Sequence, residues 1–408
     1  MAPIPISEHY LERQLSTDAE RYPIDIYQCI ACSGVQTQDD IDPKFLWQDY
    51  TYYSGQTQAI VRHFNDVAED VGHLVGGLTG KAVFDIGSND GTLLDSFRQR
   101  GARVWGVDPA DSVIGVARAR GIKTYHGLFD ERIVGTFDSE DRAADVISAF
   151  NVFAHSADMP GMCRGVAKIL KEDGIFLFEV QYLGDISNRK ILGTFFHEHM
   201  IHYSGIAADN FLRSHGLKIF DYLKNNIQMG SIIFCAAHEK NIKRTRSRRF
   251  EDLLRQEKTL GLDSPEWAHA FNAYILKNRK FAQAFAAQAE TDGHKVAAYG
   301  GARSGPSLLI QFGIDQLVDV IFDDHKDKVG KYSPFRGLDV LPTAKLSAHD
   351  HRYCIVTAYI HIKPILQRLE GYMAAGGQVV TLWPQFTVIS LENRAQFLFE
   401  LEASMNDH

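Results

Sequence analysis

The sequence predicts an α/β protein with two separate sheets, and three observations predict it. Short apolar runs rich in β-branched and aromatic residues, "AVFDIG", "RVWGVD", "DVISAF" and "IFLFEV", alternate with polar or helical segments from Lys81 onward. A second alternating series, "KVAAYGG", "VDVIFDD", "YCIVTAY" and "GQVVTLWP", begins at Lys295. Between them lies a long stretch whose apolar residues recur at helical spacing. Near-continuous apolar strands of this kind suit parallel sheets, because helices cover both faces and no polar alternate is needed.

A chain of 408 residues is too long for one ordinary core, so two or three domains are expected. Residues 1–78 read as a small N-terminal lobe with one Cys-x-x-Cys, at Cys29 and Cys32. Residues 79–238 read as the first α/β domain, 239–292 as a helical connection and 293–408 as the second α/β domain. In the first domain "GLKIFDY" and "GSIIFCAA" lie close together with no helix between them, as an antiparallel pair finishing the sheet. The basic run "EKNIKRTRSRRFEDLL" reads as a solvated connection in preference to an anion-binding loop. Ser264 and Pro265 are placed as N-cap and first helical residue of a long helix, with Trp267, Phe271, Tyr274, Phe281 and Phe285 as its packed stripe.

Composition narrows the class. Apolar residues at 45% and charged residues at 23% are those of a soluble globular protein. A net charge of −8 argues against a nucleic-acid binder, whose footprint is basic. No apolar run approaches the roughly 18 residues of a membrane span, and the N-terminus lacks a basic region followed by an apolar stretch. Five cysteines, mostly scattered, suit a reducing compartment. These features lead us to expect a cytoplasmic enzyme.

Chemistry is concentrated at the ends of the first strands. "VFDIGSNDGTLLDSF" puts Asp85, Gly87 and Gly91 between the first strand and a helix, where the glycines allow a tight turn and close approach of a ligand. This is not the dinucleotide G-x-G-x-x-G, because Asn89 stands at the second glycine. An acidic strand followed by a glycine turn points instead to S-adenosylmethionine. Asp108, about twenty residues past the turn, ends the second strand where a carboxylate can bind ribose hydroxyls. Asn151 and His155, in "AFNVFAHSAD", reach the same edge from the fourth strand. Three such strand ends in order favour a class I methyltransferase, Rossmann-like, over a nicotinamide enzyme.

The second concentration is "TFFHEHMIHYSG", with His197, Glu198, His199 and His202 in six residues. The zincin H-E-x-x-H needs a histidine at 201, and Ile201 is there. His197 and His199 would project to one side of an extended segment and so form a potential chelating pair. A solvated polar turn is the third reading.

Taken together, "DIGSNDGTLL", "GVDPA", "AFNVFAH", "HEHMIHYS" and "YGGARSG" resemble the NDP-sugar C-methyltransferase family, from about Tyr22 to Pro384. The resemblance implies a zinc-binding N-terminal lobe, a central S-adenosylmethionine domain and a C-terminal Rossmann-like domain. It also implies methylation of a sugar carbon beside a ketone, in deoxysugar and antibiotic biosynthesis. The sequence departs from the family in three places. Only Cys29 and Cys32 remain of the two Cys-x-x-Cys pairs, with His9 as a conceivable third ligand, so no metal is expected. Where the family reads Tyr-His-Glu-His or Tyr-x-Glu-His, His197 stands in place of the tyrosine, while Glu198 and His199 match. Ala302-Arg303-Ser304-Gly305 replaces the family's Ala-Lys-Gly, and "NNIQMGS" replaces its His-Gly-Gly-Ser.

Methyl transfer to carbon needs a base to create the nucleophile and a partner for the enolate oxygen. The resemblance implies His199 as the base, with Glu198 orienting an imidazole or holding a substrate hydroxyl. The enolate partner is left among His155, His197 and a tyrosine of "DYTYYSG", Tyr52 ahead of Tyr50. Asp85, Gly87, Asn89, Gly91, Asp108 and Asn151 are the expected cofactor residues. The acceptor is expected to be a small molecule, a nucleotide-linked keto-sugar. O- or N-methylation on the same fold is the alternative, and a nucleotide-sugar oxidoreductase using "YGGARSG" and Asp323 is a remoter one.

Overall fold

The computed structural model describes residues 1–6, 10–13, 20–37, 53–225, 229–302 and 304–406. They form two compact units. One comprises Tyr27–Leu183 and Glu198–Ser264, the other Met1–Ile26, Gly184–His197 and Pro265–His408.

The first unit is built on seven strands: β1 (Ala82–Ile86), β2 (Arg103–Asp108), β3 (Lys123–His126), β4 (Ala144–Phe150), β5 (Leu170–Gln181), β6 (Leu217–Asn225) and β7 (Ser231–His238). Their order is β3-β2-β1-β4-β5-β7-β6. Strands β1 to β5 are parallel, and β7 runs antiparallel to both β5 and β6. "GLKIFDY" and "GSIIFCAA" therefore do close the sheet as an antiparallel pair. One reversed strand between β5 and β6 is the class I methyltransferase, Rossmann-like arrangement.

Alternation along each strand builds a core on both faces. Phe84, Trp105, Ile147, Phe176 and Phe178 fill one face; Val83, Val146, Ile175, Leu177 and Ile233 fill the other. Helix α1 (Gln58–Val75) covers the second face with Phe64, Val67, Ala68 and Val71, an i, i+3, i+4, i+7 stripe. The remaining helices here are α2 (Thr92–Arg98), α3 (Asp111–Ala119), α4 (Met159–Ile169), α5 (Gly205–Arg213) and α6 (Arg248–Thr259). The basic run leading into α6 is matched by carboxylates: Lys243 pairs with Asp173, Arg246 with Asp209 and, in the first turn of α6, Arg249 with Asp221. This agrees with the solvated-connection reading.

The second unit carries the long helix α7 (Glu266–Thr291), α8 (Ser304–Gln311) and a six-stranded sheet. Its strands are β8 (Val296–Tyr299), β9 (Val318–Asp323), β10 (Val340–Pro342), β11 (Tyr353–Val356), β12 (Gln378–Thr381) and β13 (Thr387–Ile389), in the order β10-β9-β8-β11-β12-β13. Only β13 is antiparallel. The cap of α7 differs from expectation. Pro265 is the N-cap, and the Ser264 hydroxyl donates to the Gly261 carbonyl instead. The packed stripe is Trp267, Phe271, Ile275, Asn278 and Ala282, while Phe281 is exposed.

The residues expected as one leading lobe are divided between the units. Up to Ile26 they pack with the C-terminal sheet: Arg21 pairs with Asp315 at 2.7 Å, and Leu11 and Tyr332 exchange backbone hydrogen bonds. From Tyr27 they join the first unit, where Val35–Thr37 pairs antiparallel with Ile201–His202. Among the described residues no helix is long and apolar enough to cross a membrane. Tyr50, Tyr52, His9, Arg303 and residues 226–228 lie outside the described residues.

Candidate active site

β1 delivers Asp85 to the sheet's carboxyl edge, between Gly106 of β2 and Ser148 of β4. Its side chain is buried, and Oδ1 accepts a 2.6 Å hydrogen bond from Ser148 Oγ. Burial lifts this carboxyl to about 7; the Ser148 bond pulls it down and nearby Asp108 adds to the rise. The chain then reverses at Gly87, with φ +68°, where a Cβ would lie 2.3 Å from Val152 Cγ2. Only glycine fits so close to the loop after β4. Asn89, at φ +50°, donates its N–H to Asp108 Oδ2 at 2.9 Å, and Ala110 N–H donates to Asp108 Oδ1 at 2.9 Å. Burial raises the Asp108 carboxyl, and these two donors hold it partly down. Gly91, at φ +78°, caps α2. Asn151, at φ +55°, follows β4 beside this turn. Thus Asp85, Gly87, Asn89, Gly91, Asp108 and Asn151 share one edge. A buried acidic pair beside a bare glycine turn fits a ligand that carries ribose hydroxyls and positive charge.

The histidine stretch separates into two parts. His199 meets His155 with ring centroids 5.0 Å apart, although they stand 44 positions apart in the sequence, and the ring of His202 lies 6.2 Å from that of His199. The pairing follows from backbone bonds: Met200 and Ile201 both donate to the Ala154 carbonyl. His202 is fully buried, and burial, with His199 adding, pushes its imidazole down to about 3. His202 is therefore a neutral packing partner.

His197 belongs to the other unit. There its Nε2 lies 2.8 Å from the Pro23 carbonyl, and its ring meets Tyr22 edge-on. Residues 197 and 198 form a turn, not an extended segment, so the chelating-pair geometry does not arise. Both are buried, at 3% and 4% exposure, which removes the solvated-turn reading. Among the described residues no cluster of three or more His, Cys, Asp or Glu is placed to hold a metal ion. In the second unit Asp323 turns onto its own loop: Oδ2 accepts from Gly301 N–H at 2.6 Å and Oδ1 from His325 N–H. A Cβ on Gly301 would lie 2.2 Å from the Tyr10 hydroxyl. The loop after β8 is thus tied to Asp323 and packed against Tyr10.

Two family models match the two halves. One, described as a methyltransferase domain, matches residues 61–221; the other, described as a C-methyltransferase C-terminal domain, matches 226–384. The C-methyltransferase NovU of Streptomyces niveus is 27% identical over 91% of this chain and 89% of its own length. The protein is a C-methyltransferase. This C-methyltransferase depends on S-adenosylmethionine. A ubiquinone biosynthesis O-methyltransferase of Idiomarina loihiensis is 31% identical, but over only 25% of this chain and 43% of that protein. Magnesium protoporphyrin IX methyltransferase of Synechocystis, solved with bound S-adenosylhomocysteine, covers 48% of this chain at 18% identity with a TM-score of 0.35.

Several groups at the edge of this C-methyltransferase escaped the reading by sequence. Ser54 and Gly55 donate their N–H groups to Asn89 Oδ1 and Asp90 Oδ2, so the end of the aromatic segment docks on the glycine turn. His63 and Glu179 form a buried pair at 2.8 Å. The signal for Glu179 was present: one carboxylate inside the apolar run "IFLFEVQ" has to be satisfied by something.

Proposed function

We propose that this protein methylates a carbon alpha to a ketone, on a nucleotide-linked 4-keto-deoxysugar, through an enolate formed by His199. The observation that carries the reading is the approach of His199 to His155 on the unit that also holds the glycine turn. Asp85, Asp108 and Asn151, with the turn Gly87–Gly91, would hold S-adenosylmethionine, which supplies an electrophilic methyl group. His199 takes the proton from the acceptor carbon, a task suited to an imidazole near neutral pH. His155, across from it, donates to the oxygen that gains charge as the proton leaves. Glu198, buried and next in sequence to His199, orients an imidazole or a substrate hydroxyl. His202 stays neutral and does not compete for the proton. Tyr52 remains a further candidate donor. The geometry favours carbon over oxygen or nitrogen as acceptor, since the second imidazole serves an enolate oxygen, a partner that methylation of a hydroxyl or amine does not need.

The test is solvent exchange. With S-adenosylhomocysteine in D2O and a panel of nucleotide-linked 4-keto-deoxysugars, the protein should place deuterium at the α carbon. With S-adenosylmethionine the same sugar should gain one methyl mass. His199→Ala should lose both and still bind S-adenosylhomocysteine. Methylation with no exchange, or full activity in His199→Ala, would remove the histidine base.

A further inference from the structure

Glu179 is the one carboxylate on the inner part of β5, with no exposed surface. It lies opposite Phe150 of β4 and Ile233 of β7, in the middle of the sheet. Its side chain is held twice. Oε2 lies 2.8 Å from His63 Nε2 on α1, and Oε1 accepts from Asn225 Nδ2, at the end of β6, at 2.8 Å. Its backbone carbonyl accepts the N–H of Asn151 at 3.0 Å. His63 is itself packed against Phe64 and Phe150.

A buried carboxylate is costly to desolvate, and an aliphatic residue would fill the core without that cost. What Glu179 does that leucine does not is join three pieces of chain. α1 begins just after Ser54 and Gly55, which grip the turn at Asn89 and Asp90, and His63 fixes the same helix two turns later. Asn151 holds a left-handed backbone, a conformation that persists only when its surroundings impose it. One residue thus sets both α1, which follows the grip of Ser54 and Gly55 on the glycine turn, and the loop after β4.

We propose that His63 and Glu179 form a latch and are positioning residues for the donor: they hold α1 and Asn151 in the arrangement that binds S-adenosylmethionine. This rests on the reading of Asn89 and Asn151 as donor contacts. The test is a double-mutant cycle on S-adenosylhomocysteine affinity, measured by calorimetry on the full chain. His63→Ala and Glu179→Gln should each weaken binding about tenfold, the scale of losing a hydrogen bond to a charged group. The double variant should bind no worse than the weaker single one. His63→Gln, which can still donate to Glu179, should recover most of the loss. Hydrogen exchange should quicken in residues 54–63 and 150–155 of the weakened variants. If both single variants bind within about twofold of wild type, the latch is overturned, even where melting temperature falls. Should Glu179→Gln not fold, His63→Ala against His63→Gln decides alone. A wild-type chain that binds no S-adenosylhomocysteine would overturn the donor-site reading and the latch with it, an outcome distinct from equal binding by all forms.

Discussion

With Asp85 in the donor site, as proposed, donor binding depends on pH. An unfolded chain ionises this carboxyl near 3.8, whereas burial in β1 holds the proton until about 7. Between those values the folded state binds more protons, so its stability falls as pH rises and levels off above 7. The difference corresponds to about 4 kcal/mol, present in full below the lower value and lost by the upper one. The folded protein above pH 7 carries a buried negative charge that a cationic ligand relieves. S-adenosylmethionine, with its sulfonium and ammonium groups, favours the ionised form. Binding at pH 6 should therefore expel close to one proton, about 0.9 by simple titration.

Calorimetry at pH 6 in two buffers of different ionisation enthalpy measures that proton. Affinity for S-adenosylmethionine should climb with pH and flatten near 7. Asp85→Asn should release no proton at this site, bind the donor more weakly at pH 8, and melt higher than wild type there because the buried charge is gone. Ser148→Ala removes the 2.6 Å bond that favours the carboxylate, so the flattening should move to higher pH. Proton uptake on binding, or the same release from Asp85→Asn, would refute the reasoning.

Other perturbations test other parts of the edge. Gly87→Ala places a Cβ 2.3 Å from Val152 Cγ2 at a φ of +68°; it should cost about 2–3 kcal/mol in urea unfolding and abolish donor binding at micromolar concentration. Glu257 is fully buried and caps α5 from a distance, accepting from Gly205 N–H at 2.6 Å, Ile206 N–H at 2.8 Å and Tyr182 Oη at 2.8 Å. Glu257→Ala leaves those donors unpaired and should destabilise the unit by about 3 kcal/mol in the same assay, with Glu257→Gln losing less. Lys243→Glu reverses a charge whose partner is an exposed Asp173, so methyl transfer should stay within about twofold of wild type if the basic run is not an anion site.

Local chemistry was legible where a short stretch decides its own geometry. The five buried residues of β1 announce a central strand, and the positive φ of Gly87 and Gly91 is what a strand-to-helix turn asks of glycine. The end of α7 was less legible because two local signals competed: Pro265 supplies the cap position, and the Ser264 hydroxyl is drawn to the carbonyl three residues back. Phe281 fell outside the stripe for a geometric reason, since over 26 residues the face that is covered depends on what packs beside each turn. His63 and Glu179 stand 116 positions apart, and no local pattern relates them. His155 and His199 came together in the sequence reading only through a family likeness, not through spacing.

The two halves of the proposed reaction can be separated by one assay, because they rest on different residues. Deuterium exchange at the acceptor carbon needs a base and a partner for the oxygen; it needs no methyl donor. The base side is His199 with His155, held together by the bonds of Met200 and Ile201 to the Ala154 carbonyl. The donor side is Asp85, Asp108 and the glycine turn, whose ties run through Ser148, Asn89 and Ala110. These ties run through different residues, so single substitutions should act nearly independently. Asp85→Asn should therefore keep exchange within a fewfold while slowing methylation strongly at limiting donor, and His199→Ala should lose exchange by about a hundredfold or more while donor affinity stays near wild type. If Asp85→Asn abolished exchange as completely as His199→Ala, donor binding would be a precondition for organising the base, and His199 could not be treated as preformed.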